Sequence, residues 1–83
     1  MASHSYEQTL RLELARDILN GRIAALSERL EREVNHASPD HAAIAAMEDE
    51  MLSLGLRIDA LDVRDNARVD AVIEENRLAR LGA

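Results

Sequence analysis

The chain has no cysteine, no lysine, no phenylalanine and no tryptophan, and Tyr6 is its one tyrosine. Without cysteine it forms neither disulfides nor thiolate metal sites, which fits a reducing compartment. With so few aromatics, its core must come from Leu, Ile, Val, Met and Ala. That set suits helix-on-helix packing better than sheets, which draw on aromatic and β-branched residues. No apolar run approaches the roughly 18 residues of a membrane span, so no membrane partner is expected. The opening Met-Ala-Ser-His-Ser has no basic segment followed by an apolar one. No signal peptide is expected, and a cytoplasmic location is the default.

Charge is plentiful and mostly of one sign: 16 acids against 10 arginines, a net −6. Such a chain repels phosphate backbones, so nucleic acid is not an expected partner. Arginine in place of every lysine reads as coding bias or as selection for bidentate contacts. With 83 residues, one domain with a thin core is expected. A single apolar layer of this size supplies about 3–5 kcal/mol, so oligomerisation or a partner is the natural support.

The organising pattern is Ile44, Met47, Met51, Leu54, Ile58 and Leu61, spaced as the a and d positions of a helix lying against another helix. Its counterpart is Leu12, Ala15, Leu19, Ile23, Leu26, Leu30 and Val34 on a first helix of about 5–36. Ser5 with Gln8 reads as its capping box. Glu7–Arg11, Glu28–Arg32 and Arg29–Glu33 are i,i+4 pairs. Gly21 reads either as a close helix contact or as a tolerated defect. A loop at 36–39 follows, with Ser38 as N-cap, Pro39 at the first helical position and Asp40 next.

The second helix is expected to run from about 39 to 80. Its heptad fails at Asp65 and resumes at Val69, Val72 and Ile73. Eleven-residue steps from Ile58 to Val69 and from Leu61 to Val72 absorb the shift in one continuous helix. The alternative is a kink or a short third helix near 62–66. The fold class is thus all-α: a long antiparallel two-helix hairpin, coiled-coil-like. Partner positions summing to about 77–78 would set Leu12 opposite Asp65, answered by Arg11 or Arg16, with Glu7 reaching Arg68. Residues 73–81 would overhang the first helix.

Placing side chains at 100° steps reveals a second apolar face. Leu10, Leu14 and Ile18 lie off the first helix's stripe. Leu52, Leu56, Val63, Leu78 and Leu81 lie opposite Ile58 on the second. A lone hairpin cannot cover both faces, and such patches mark interfaces. Two hairpins forming a homodimeric four-helix bundle are the simplest answer. A heterologous helix in the groove is the second, and residues 66–81 folding back is the third. On this face Leu56→Glu should disrupt association, whereas Ile58→Glu should unfold the hairpin. In helix length, loop and seam the chain resembles the small helical hairpins of plasmid copy control and of type III secretion co-chaperones.

Chemistry has few footholds. Glu33 and His36 share a helix face at i,i+3, as in diiron bundles, and His41 lies across the loop. These three are weak metal candidates, and the plainer reading is capping and solvation. No cofactor is expected. The acids Glu48, Asp49 and Glu50 form a solvated face or a dock for a basic partner. No nucleophile elbow, phosphate loop or dinucleotide fingerprint occurs, so no enzyme is expected. The functional expectation is a regulatory interaction protein that self-associates, or a chaperone or adaptor holding a partner helix.

Overall fold

A computed structural model describes residues 5–82; residues 1–4, which precede the Ser5 cap and from the sequence are expected to fray, lie outside them. The described chain is all-helical: α1 (Tyr6–Val34), α2 (His41–Ala60) and α3 (Asn66–Gly82), with no strand among the described residues. The two-helix hairpin is therefore replaced by three helices, and the expected continuous helix over 39–80 is broken at 61–65.

Helix α1 starts where the sequence indicates. The Ser5 hydroxyl accepts from the Gln8 backbone N–H, and the Gln8 side chain accepts from that of Ser5, which closes a capping box. The start of α2 lies two residues beyond the expected place. Asp40, not Ser38, is the N-cap, and one of its carboxylate oxygens accepts from both Ala42 and Ala43 N–H at 3.1 Å. A carboxylate held by two N–H groups at the positive end of a helix outcompetes a serine hydroxyl.

Two aspartates make the break between α2 and α3. Helix α2 ends at Leu61, an extended residue with φ −69° and ψ 133°. The Asp62 carboxylate accepts from Arg64 N–H at 2.9 Å, and that of Asp65 accepts from Arg68 N–H at 3.2 Å. Short acidic side chains compete with helical hydrogen bonds in this way. No glycine or proline is involved, which is why the helix reads as continuous in the sequence.

Helix α2 returns antiparallel to α1, with Glu33 held near Asp40 and Arg22 near Glu50. Helix α3 then folds back. Gln8 meets Asn66, Arg11 pairs with Asp70, and Arg22 reaches Glu75. Residue numbers rise together in these pairs, so α3 runs parallel to α1 and covers its N-terminal half. Residues 73–81 do not overhang. Arg11 pairs with Asp70 rather than Asp65, whose carboxylate instead meets Arg68 at 3.3 Å.

The core is continuous through all three helices: Leu12, Ala15, Leu19 and Leu26 of α1, Met47 and Leu54 of α2, Leu61, and Val69 and Val72 of α3. Ala15 and Leu19 are fully buried. Helix α1 packs against both α2 and α3, yet no Cα of α2 comes within 8 Å of a Cα of α3. A two-helix tip formed by the end of α1 and the start of α2 projects beyond α3, and the molecule measures 59 × 26 × 15 Å.

Candidate interaction surface

Fully burying a Leu side chain gains about 1.5–3 kcal/mol over leaving it in water. That sets the weight of what this fold leaves out. Leu10, Leu14, Leu52, Leu56, Leu78 and Leu81 are between 45% and 71% exposed. They come as one leucine pair per helix, each at i,i+3 or i,i+4 spacing, which keeps a pair on one ridge. Two other residues expected on this surface are not free. Ile18 and Val63 are half-buried and pack against the core. Val63 turns inward because it belongs to the connection, not to a helix.

The break at 61–65 also divides the expected face. Leu52 and Leu56 stay on α2, while Leu78 and Leu81 leave with α3. Leu81 reaches the same groove as Leu14: a groove of about 410 Å³ between α1 and α3 is lined by Leu14, Ile18, Ile73 and Leu81, together with Arg77 and Arg80. A second groove, of about 360 Å³, separates α2 from α3 and takes in Leu56, Ala60, Leu61, Ala71 and Val72. Arg57 spans it to Glu75, and Arg68 donates to the Ala60 carbonyl oxygen at 3.4 Å.

Sequence reasoning passed over Tyr6, which is 79% exposed. It precedes Leu10 by four residues, so Tyr6, Leu10 and Leu14 form one ridge. The i−4 spacing was the available signal. Val34, placed in the seam, is 53% exposed because α1 ends there.

The electrostatics at the rims are those of surface pairs. Arg77 donates to Glu74 and holds its carboxyl below the ordinary glutamate range. Arg57 does the same for Glu75, opposed by desolvation and helped by the charge of Arg22. The tip is different. Residues 23–50 carry seven acids (Glu28, Glu31, Glu33, Asp40, Glu48, Asp49, Glu50) against Arg29 and Arg32, so seven minus two gives five of the six net negative charges.

Two of the three metal candidates serve as structural groups. Glu33 accepts the Asp40 backbone N–H at 2.7 Å. His36 Nδ1 accepts that of Ser38 at 3.1 Å. His41 is the exposed first residue of α2. Among the described residues no three His, Cys, Asp or Glu side chains gather as a metal site, and no helix is long and apolar enough to cross a membrane. No family model, curated protein or solved structure matches the chain.

Proposed function

We propose that this chain is a small, non-enzymatic interaction protein that self-associates through the α1/α3 face. The observation that carries the reading is the exposed ridge Tyr6, Leu10 and Leu14, whose last member lines a groove shared with Leu81, Ile18 and Ile73. Two copies meeting there bring α1 and α3 of each into one four-helix bundle. That arrangement removes leucine surface from water without disturbing the intrachain core. Its role is regulatory, exerted by pairing.

A second reading draws on the groove's arginines. Arg77 and Arg80 line it together with apolar side chains, a setting that also fits an amphipathic helix of another protein with acids along its edges. The chain is then a chaperone or adaptor.

Light scattering at micromolar concentration tests the first reading. A dimer is expected, and Leu14→Glu should weaken the association while leaving the chain helical. Leu56→Glu, expected from the sequence to disrupt association, should instead leave the dimer intact, because Leu56 stays on α2 at the second groove, away from the α1/α3 face. Dissociation by Leu56→Glu alone would move the interface to α2. A wild-type chain that is monomeric throughout would remove self-association and leave the adaptor reading.

A further inference from the structure

We infer that α3 exchanges between two copies of this chain, so that α1 of one copy is covered by α3 of the other. The inference goes beyond the pairing of leucine faces and stands without it, because it uses contacts that already exist inside one chain.

Three observations converge on it. The first is the hinge. Residues 61–65 contain neither glycine nor proline, and no non-glycine residue among the described ones has positive φ. Nothing in this connection forbids helix. It is held out of helix by side-chain contacts of Asp62 and Asp65 with backbone N–H groups, by the turn bond from Asp65 N–H to the Asp62 carbonyl, and by Leu61 in the core. A connection this short, held largely by exposed polar contacts, suits exchange of the element beyond it.

The second observation is periodicity. Ile58 to Val69 and Leu61 to Val72 are steps of eleven residues, close to three whole helical turns. If α2 and α3 join into one straight helix, these four side chains fall on one stripe. The opened chain therefore keeps a single apolar face rather than scattering it. Asp65, eleven residues after Leu54, lies on that stripe and interrupts it at the hinge alone.

The third is how α3 is seated. It packs closely on α1 alone, and a groove parts it from α2. Its tie to α2 is made of side chains, Arg57 to Glu75 and Arg68 to the Ala60 carbonyl. Detaching it in a lone chain exposes Val69 and Val72. Donating it to a second copy restores each of those contacts, now between chains. The directions agree. Here α3 is parallel to α1 and antiparallel to α2, and a straightened α2–α3 helix reaching a two-fold-related copy meets its α1 and α2 in those same senses. The occupant of the vacated α1 face is thus α3 of a second copy, recognised by the residues that recognise it now.

The test joins α3 to the helix it covers. Gln8 and Asn66 side chains lie 3.4 Å apart, and the chain has no other thiol to interfere. Gln8→Cys with Asn66→Cys, treated with a short bismaleimide, should give a covalent dimer on a denaturing gel, increasing with protein concentration. Asp62→Ala with Asp65→Ala removes both contacts and should shift the open–closed balance toward exchange by roughly 30-fold per chain. Two glycines inserted between Val63 and Arg64 interrupt the straight helix and should return the link to single chains. The dimer band should survive Leu14→Glu. Links confined to single chains at every concentration, in the double aspartate variant as well, overturn the exchange. Loss of the band with Leu14→Glu also overturns it and assigns the dimer to the leucine face.

Discussion

Both carboxylate oxygens of Glu75 lie 3.0 Å from guanidinium nitrogens of Arg57, joining α3 to α2 across a gap that their backbones do not close. Arg22 of α1 approaches the same carboxylate at 3.5 Å and Glu50 of α2 at 3.6 Å, so one ionic chain touches all three helices. The hydrogen bond from Arg57 is the main reason the Glu75 carboxyl titrates below its ordinary 4.5. A depressed folded value means that the ionised form stabilises the fold. The contribution is complete above pH 4.5 and is lost as pH falls through the folded value. Glu75 is about half exposed, so solvent limits the pair to about 0.2–1 kcal/mol. Glu75→Gln should therefore lower the melting temperature at pH 7 by at most about 4–8 °C. The difference should narrow as pH falls below 4.5 and through the folded value, as followed by circular dichroism across the acid range. A gap independent of pH would assign the loss to packing and not to charge.

The seam was legible because its signal is redundant. Leu12, Ala15, Leu19 and Leu26 repeat at helical spacing, as do Met47 and Leu54, and these are the residues buried in α1 and α2. The break between α2 and α3 was legible only as the alternative to one continuous helix, since its signal is local and polar. Asp62 and Asp65 look like ordinary surface acids, and only their reach to Arg64 and Arg68 N–H turns the chain. The lapse of the heptad at Asp65 was the one trace, and an eleven-residue repeat disguised it. The outward leucines were found from the same 100° steps that found the core. Their grouping was not, because it depends on where α3 goes. Leu81 meets the Leu14 groove only after the chain has folded back.

Gly21 and Gly55 sit inside α1 and α2, and a Cβ added at either meets nothing within 4 Å. Neither glycine serves a close approach within the chain, so the defect reading holds for Gly21. A helix-interior glycine costs about 0.5–1 kcal/mol against alanine, through backbone entropy in the unfolded chain. Gly21→Ala and Gly55→Ala should each stabilise by that amount. The sites are far apart in sequence and share no contact, so the gains should add. Together they should raise the melting temperature by about 4–16 °C, measured both where the chain is monomeric and at higher concentration where copies associate. A destabilising alanine at either position would show that this glycine lies in an interface between copies, where a methyl group has no room.

The loop at the tip allows a sharper comparison, because sequence and structure assign its cap to different residues. Ser38 precedes the proline and has the expected side chain, but Asp40 caps α2, accepting from Ala42 and Ala43. Its own N–H donates to Glu33 on the last turn of α1. The residue thus ties both ends of the loop, one through its side chain and one through its backbone. Asp40→Ala removes only the side-chain half and should cost about 1 kcal/mol, the usual loss for an aspartate N-cap. Ser38→Ala should cost almost nothing, since it is the Ser38 backbone N–H, not the hydroxyl, that bonds to His36. Asp40→Asn should retain most of the stability, because an amide oxygen can still accept from both N–H groups. Urea midpoints for the three variants, with the slopes compared to confirm an unchanged unfolding transition, should fall in the order Ser38→Ala, Asp40→Asn, Asp40→Ala, from most to least stable. The reverse order for Ser38→Ala and Asp40→Ala would return the cap to the serine and lengthen α2 by two residues.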